Sequence, residues 1–162
     1  MKKGYIFTVV VALGMALSLA ACSENAGVDM SNDNNLKSEE EEGQTEMKMN
    51  VQVGDYNFMA TLENNEAVKE LLDMMKEGPV TIEMDDYSGF EKVGALGRSL
   101  TTNNSQTTTS AGDIVLYNGN NIVMFYGSNS WSYTRIGKID DLSDWEKALG
   151  SGSITAIFTV GE

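Results

Sequence analysis

The chain has 162 residues, with 24 acidic and 11 basic side chains and a formal net charge of −13 at pH 7. That charge argues against a nucleic-acid partner, because proteins that bind nucleic acid present basic surfaces to the phosphates. Histidine is absent, which excludes Ser-His-Asp and Cys-His catalysis and removes the commonest ligand of zinc sites. We therefore expect neither a metal ion nor another cofactor.

Residues 1–21 have the three parts of a cleavable signal peptide. Lys2 and Lys3 give a positive start, and residues 5–19 are uncharged and mainly apolar. Small residues then lead to Cys22. The apolar run is shorter than the ~20 residues that a membrane-spanning helix needs, which makes an uncleaved anchor the weaker alternative. Cleavage would remove two positive charges and leave the mature chain more acidic still.

Cys22 is the only cysteine of the chain, so no intrachain disulfide can form. Small residues followed by cysteine at the end of a signal peptide form a lipobox, and lipidation would give this thiol a role. Two acyl chains are enough for stable membrane anchoring. The sequence thus predicts a bacterial lipoprotein that is anchored to the cell membrane through Cys22 and lies outside the cytoplasm.

Residues 22–46 are rich in Ser, Asn, Asp, Glu and Gly and include four consecutive glutamates at 39–42. So few of these side chains are apolar that we interpret the segment as a disordered acidic tether. A cation site in the glutamate run would need several carboxylates fixed around one ion, whereas like charges in a flexible segment repel and stay solvated. Residues 47–162 then form one domain, which is an ordinary size for one.

The domain opens with a predicted β-hairpin over residues 47–62, because apolar and polar residues alternate on both sides of a Gly-Asp break. Asn64 or Asn65 can cap the helix that follows. The apolar residues of this helix fall at positions i, i+3, i+4 and i+7, and the helix ends at Gly78-Pro79. They are Val68, Leu71, Leu72 and Met75.

Residues 80–84 are typical of a strand, and residues 85–89 are predicted to form a turn whose two aspartates are turn residues rather than an acid-base couple. Residues 90–100 carry two glycines among apolar side chains, which indicates a close backbone approach or a bulge. Residues 101–112 are threonine, asparagine and serine without an apolar anchor. We expect a long polar loop there.

The clearest hairpin of the chain covers residues 114–126, with a central Asn-Gly-Asn-Asn turn. Residues 132–139 are predicted as another strand. Ser143–Glu146 has the pattern of a capping box and would open a short helix that ends at Gly150. Residues 154–160 complete the chain as a strand.

Seven or eight strands in one small domain must hide their edges, and closure into a barrel with helices over its ends does so. A sandwich is the alternative. Four segments, 112–117, 122–127, 127–133 and 136–139, resemble the bacterial cyclophilin-like family, divergent relatives of peptidyl-prolyl isomerases. The resemblance covers residues 49–160 and implies a closed eight-stranded β-barrel capped by two short helices.

The resemblance also places the candidate site. The resemblance implies a comparison with true cyclophilins, in which the arginine of a Phe-His-Arg stretch hydrogen-bonds the prolyl nitrogen. The similar stretch in this chain is Phe90-Glu91-Lys92. Lysine cannot reproduce a planar guanidinium, and Tyr133 stands where the pocket histidine would be. Arg98 and Lys92 are therefore the candidate catalytic donors, with an exposed arginine of no special role as the alternative for Arg98.

Aromatic residues cluster around the hairpin of residues 114–126 and the loop after it. Aromatic side chains with polar tips are frequent anchors for peptides and ring-shaped ligands. We expect the ligand-binding residues to be Phe90, Phe125, Tyr126, Trp131 and Tyr133. For two of the last four, plain packing in the barrel core is the alternative.

Three functions are compatible with this sequence. The first is a binding module for a peptide or small molecule, without strong catalysis, and the altered pocket favours it. The second is a peptidyl-prolyl isomerase that assists the folding of exported proteins. Such an enzyme must lower an amide barrier of ~18–20 kcal/mol and therefore depends on hydrogen-bond donors like those that are replaced in this chain. The third is a scaffolding partner of other envelope proteins. We expect the first of these functions. We also expect the protein to be a monomer.

Overall fold

A computed structural model describes residues 46–161. The expected signal peptide, Cys22 and almost all of the acidic tether lie outside the described residues. The strands are β1 (Lys48–Val53), β2 (Tyr56–Leu62), β3 (Val80–Tyr87), β4 (Glu91–Ala95), β5 (Ser105–Thr108), β6 (Asp113–Tyr117), β7 (Asn121–Phe125), β8 (Ser130–Ile139) and β9 (Ile154–Val160). The helices are α1 (Glu66–Glu77) and α2 (Trp145–Leu149).

Eight of the strands form a closed antiparallel β-barrel. Their order is β2-β1-β9-β3-β4-β7-β6-β8, and β8 pairs with β2 to complete the ring. The expected closed eight-stranded barrel with two short helices is therefore confirmed, and the sandwich is not formed. Closure leaves none of these eight strands with a free edge, which is how a small β-domain avoids edge-to-edge association.

Alternation of side chains between the two faces of the strands produces two apolar clusters. Ile114 and Leu116 of β6 face the barrel interior together with residues from the other strands, and the same main core includes Val68 and Leu71 of α1. Val115, between the two β6 core residues, points to the outer face. There it forms a second cluster with Val123, Phe125 and Tyr133. The outer cluster is the base of the site described below.

Helix α1 begins as the sequence predicts. The Asn65 side chain accepts a hydrogen bond from the Val68 amide at 3.0 Å, and its amide nitrogen donates to the Arg135 carbonyl at 2.8 Å. The same residue thus caps the helix and fixes it to strand β8. Leu71 and Met75 are buried, as the apolar spacing requires.

Two predicted loops contain strand residues. Strand β3 continues through Asp85 and Asp86 to Tyr87, and the turn falls on residues 88–90 instead. Residues 105–108 of the expected polar loop form β5, which pairs with the first part of β8. Most of the side chains of β5 are exposed, so the strand lacks the apolar alternation by which a sequence pattern detects a strand.

The predicted capping box at Ser143–Glu146 is also wrong. Helix α2 starts at Trp145 after Asp144, which has a left-handed φ of 61° and makes no capping hydrogen bond through its side chain. The helix is held from the barrel side, because the buried Trp145 indole donates to the Phe125 carbonyl at 2.8 Å. Tertiary packing replaces the cap that the local pattern indicated.

Gly94 allows β4 to lie close to β3. A Cβ atom added at this position would stand 2.6 Å from the Glu83 carbonyl oxygen and 2.8 Å from Met84 Cγ. Backbone cannot yield to such a contact as easily as the end of a side chain can. We expect Gly94→Ala to lower the free energy of unfolding by about 3 kcal/mol, as overpacked cores do.

Chemical denaturation of the wild type and Gly94→Ala measures this loss. Gly54→Ala is the matched control, since its added methyl group meets nothing within 4 Å. Its φ of 56° should cost only about 1 kcal/mol. Equal losses in the two variants would contradict the role assigned to Gly94.

Candidate functional site

A cavity of about 460 Å³ lies on the outer face of the barrel, above the second apolar cluster. Side chains from β3, β4, β6, β7 and β8, with one residue from the loop before β8, surround it. They are Tyr87, Glu91, Val93, Tyr117, Val123, Asn129, Trp131 and Tyr133. The size falls within the range of small-ligand pockets in proteins.

Strand register explains why these side chains meet. Glu91 lies opposite Tyr87 on β3 and opposite Phe125 on β7, and Val93 lies opposite Val123. Directly paired residues of neighbouring antiparallel strands point to the same face of the sheet. The outward set of β4 therefore stands beside the outward aromatic residues of the adjoining strands.

The aromatic lining has a buried floor and an exposed rim. Tyr133 is buried and packs edge-on against Phe125, with ring centroids 5.8 Å apart, and against Tyr117 at 6.1 Å. At the rim, Trp131 is 57% exposed and Tyr87 is 60% exposed. Large aromatic side chains left in water beside a cavity are typical of a surface that binds something.

Hydrogen bonds hold the loop before β8 in place. The Thr109 amide donates to the Asn129 carbonyl at 2.8 Å, and the Asn129 amide donates to Thr109 Oγ1 at 3.0 Å. The Asn129 side chain accepts from the Ser130 amide at 2.8 Å and donates to the Tyr133 hydroxyl at 3.1 Å. Asn129 is thus fixed at the cavity wall and keeps a second side-chain N–H for a ligand.

Six of the eight lining residues are absent from the sequence prediction, and Glu91 is the one among them that carries a carboxylate. Its side chain is only 6% exposed, and its Oε2 atom is buried without a hydrogen-bond partner. Burial raises the pKa of Glu91 from 4.5 to about 7. The available signal was its position in the alternation, two residues before Val93 and therefore on the same face of β4.

The structure brings together some of the predicted ligand-binding residues. Trp131 and Tyr133 line the cavity, and Phe125 supports it from below as a fully buried ring. Phe90 is half-buried, packs against the outer cluster and meets Tyr87 edge-on at 6.3 Å. These four predicted residues therefore belong to one aromatic region.

Tyr126 is separated from that region. It packs against the main core, and its hydroxyl donates to Asp86. Lys92 is fully buried on the same side of β4, where its Nζ atom donates to Asp86 Oδ1 and to the Gly152 carbonyl, both at 2.7 Å. The hydrogen bonds from Lys92 and Tyr126 lower the pKa of Asp86. These residues form a polar network beside the main core.

Neither candidate catalytic donor lines the aromatic cavity. Lys92 points to the opposite face of β4 from its neighbour Glu91, because successive strand residues alternate. Arg98 is exposed and lies in another depression, beside Glu70, Asp73 and Met74. Among residues 46–161, no group of three or more carboxylate or cysteine side chains could hold a metal ion.

Glu91 should make stability depend on pH. Because its folded pKa is raised, the native state keeps the proton between about pH 4.5 and about pH 7 while the unfolded chain releases it. The contribution of Glu91 to the free energy of unfolding is therefore complete below about pH 4.5. It falls by roughly 3 kcal/mol as the pH rises from there through about pH 7. We expect Glu91→Gln to lose this fall and to exceed the wild type in stability at about pH 8.

Thermal unfolding followed from about pH 4 to about pH 8 tests this expectation. The matched control is Glu77→Gln, which removes the same charge from an exposed position at the end of α1. The control should follow the wild-type pH profile. Parallel profiles for the wild type and Glu91→Gln would contradict the assignment of a raised pKa to Glu91.

Comparison with known proteins agrees with this architecture. Residues 51–159 match the sequence model of a family described as the cyclophilin-like family. The solution structure of a hypothetical protein from Archaeoglobus fulgidus is similar, with a TM-score of 0.55 and 13% identity over 72% of this chain and 95% of that chain. Such an identity shows the fold alone, and no curated protein matches the sequence. Because the family match spans most of its length, this chain belongs to the cyclophilin-like family.

Proposed function

We propose that this protein is an extracytoplasmic lipoprotein whose cyclophilin-like domain binds a peptide or small ligand in the aromatic cavity, without strong catalysis. One observation carries the proposal: the exposed rings of Tyr87 and Trp131 stand at the rim of a cavity whose aromatic floor is already packed. A ligand that covers such rings removes apolar surface from water. At about 25 cal/mol per Å², each 100 Å² covered contributes roughly 2.5 kcal/mol.

The cavity is also prepared for binding before a ligand arrives. The Thr109 to Asn129 hydrogen bonds and the edge-on contacts of Tyr133 fix two of its walls. Fixed walls spare the ordering entropy that a flexible site would lose on binding. The free N–H of Asn129 suits a backbone or side-chain carbonyl of the ligand.

Binding is favoured over prolyl isomerisation because neither of the two candidate donors, Lys92 and Arg98, lines the aromatic cavity. Isomerisation requires a donor at the amide nitrogen as it loses planarity. Lys92 is engaged with Asp86 on the other face of β4, and Arg98 lies in a separate depression. A peptide that enters the aromatic cavity would meet neither.

Anchoring through lipid is supported by the sequence around Cys22. The positive start, the short apolar run and the small residues before the single cysteine form one continuous signal. In residues 46–161, no helix combines the length and apolarity that crossing a bilayer requires. The tether of residues 22–46 would give the domain reach from the membrane surface.

Ligand binding can be followed through Trp131. The full chain contains two tryptophans, and the other, Trp145, is only 1% exposed. We expect at least one member of a panel of capped tripeptides, acetyl-Gly-X-Gly-amide with X varied through all amino acids, to change the tryptophan fluorescence saturably at millimolar concentration or below.

Two variants serve as controls for this titration. Trp131→Phe should remove the fluorescence response, and Arg98→Ala should retain it, because Arg98 lies in another depression. A panel without a single saturable response would refute the binding proposal. So would a response that persists unchanged in Trp131→Phe, since it would come from Trp145.

Lipidation can be tested in bacterial cells grown with radiolabelled palmitate. We expect the wild-type chain to incorporate label, and Cys22→Ser to incorporate none and to accumulate as the longer precursor, because the only thiol is lost. Ser23→Ala is the neighbouring control and should be labelled like the wild type. Equal labelling of Cys22→Ser would exclude lipidation at this cysteine.

A further inference from the structure

We propose that the aromatic cavity takes a protonated amine, as found at the end of a lysine side chain, with the Glu91 carboxylate as its counter-ion. This inference rests on the proposed function, because it names the ligand class for the same cavity. Two independent features of the lining carry it. One is the unpartnered carboxylate, and the other is the arrangement of aromatic rings around it.

The Glu91 carboxylate has no partner within the described domain. Its Oε2 atom is buried and accepts no hydrogen bond. The nearest cation along the chain, Lys92, points to the other face of β4 and is engaged by Asp86 and the Gly152 carbonyl. Buried polar groups in folded proteins are nearly always paired, so an exception that lines a cavity indicates a group completed by a ligand.

The aromatic residues select the charge of that ligand. Tyr87, Tyr117, Trp131 and Tyr133 surround the cavity with Glu91, and the faces of such rings attract cations. A ligand with an N–H bond and a positive charge can donate to Oε2 and contact the rings at the same time. A neutral N–H or O–H group could donate to Oε2 but would leave the negative charge unbalanced, and an anion would be repelled by it.

An organic cation fits this lining better than a metal ion does. Calcium takes six to eight oxygen ligands and magnesium an octahedral set. Glu91 is the only carboxylate among the residues that line the cavity, and no cluster of three or more possible metal ligands occurs in residues 46–161. The remaining surface of the cavity is mainly aromatic and aliphatic, which suits the alkyl chain of an amine.

The negative net charge of the protein also favours a cationic ligand. At −13 for the full chain, the protein attracts cations from solution and raises their rate of encounter with its surface. This effect is not specific to the cavity and weakens with salt. Selectivity must therefore come from Glu91 and the rings, and the test has to isolate them from the overall charge.

The test compares two probes that differ only in the ammonium group, Nα-acetyl-lysine amide and Nα-acetyl-norleucine amide, titrated into the full chain by calorimetry and by Trp131 fluorescence. We expect the lysine probe to bind at least about tenfold more tightly at about pH 8. In Glu91→Gln the preference should disappear, while the weak affinity for the norleucine probe stays the same. Glu77→Gln should keep the preference, although it changes the net charge equally.

The affinity for the lysine probe should also rise about tenfold between about pH 6 and about pH 8, as Glu91 loses its proton. The other titratable side chains that face Glu91 across the cavity are Tyr87 on β3, Tyr117 on β6 and Tyr133 on β8. Burial and the Glu91 charge raise the pKa of Tyr133, so this hydroxyl keeps its proton throughout. The norleucine probe should show no such rise.

The outcomes separate the two proposals. If the two probes bind equally, or if other members of the tripeptide panel bind and the lysine probe does not, the amine inference fails and the binding proposal stands. If no member of the panel binds, the proposed function fails and the inference fails with it. The comparison of probes on the wild-type protein does not depend on how well any variant folds.

Discussion

The pairing of β8 with β2 is the contact on which the rest of the molecule depends. Ala60, Thr61 and Leu62 of β2 lie opposite Ile139, Lys138 and Gly137 of β8, and these pairs turn an open sheet into a ring. Gly137 permits the approach, because a Cβ atom there would collide with the Thr61 carbonyl oxygen and stand 3.2 Å from the Leu62 Cα atom. Closure gives every barrel strand one inner and one outer face.

Strand β8 links this closure to the candidate site. Its second half completes the barrel, and its first half pairs with β5 and carries Trp131 and Tyr133 on the outer face. Between the two halves, a bulge at Ile136 shifts the register with β6. A bulge bends a strand and redirects its side chains, so one strand can both close the core and supply two walls of the cavity.

Glu91 and Lys92 are neighbours on β4, but their charged groups lie on opposite faces of the sheet in different surroundings. Lys92 is buried and paired with Asp86 beside the main core, whereas Glu91 is buried and unpaired in the outer cavity. The first arrangement satisfies its charges internally. The second destabilises the protein once Glu91 ionises, and a domain with a filled barrel core can tolerate that cost at a functional site.

By itself the sequence determined that the domain is rich in β-strands with two helices and that Trp131 and Tyr133 lie near one another, because alternation and turn residues are local properties of the chain. The residue pattern left a barrel and a sandwich open, and the pairing of β8 with β2 decided for the barrel. Tertiary structure alone decided the rest. Strand β5 is polar at all four positions, so no apolar alternation marks it, and its pairing comes only from β8. The register between distant strands decides which face of β4 lies beside Trp131. The role of Glu91 therefore depends on the packing of five strands around one cavity, which no local pattern encodes.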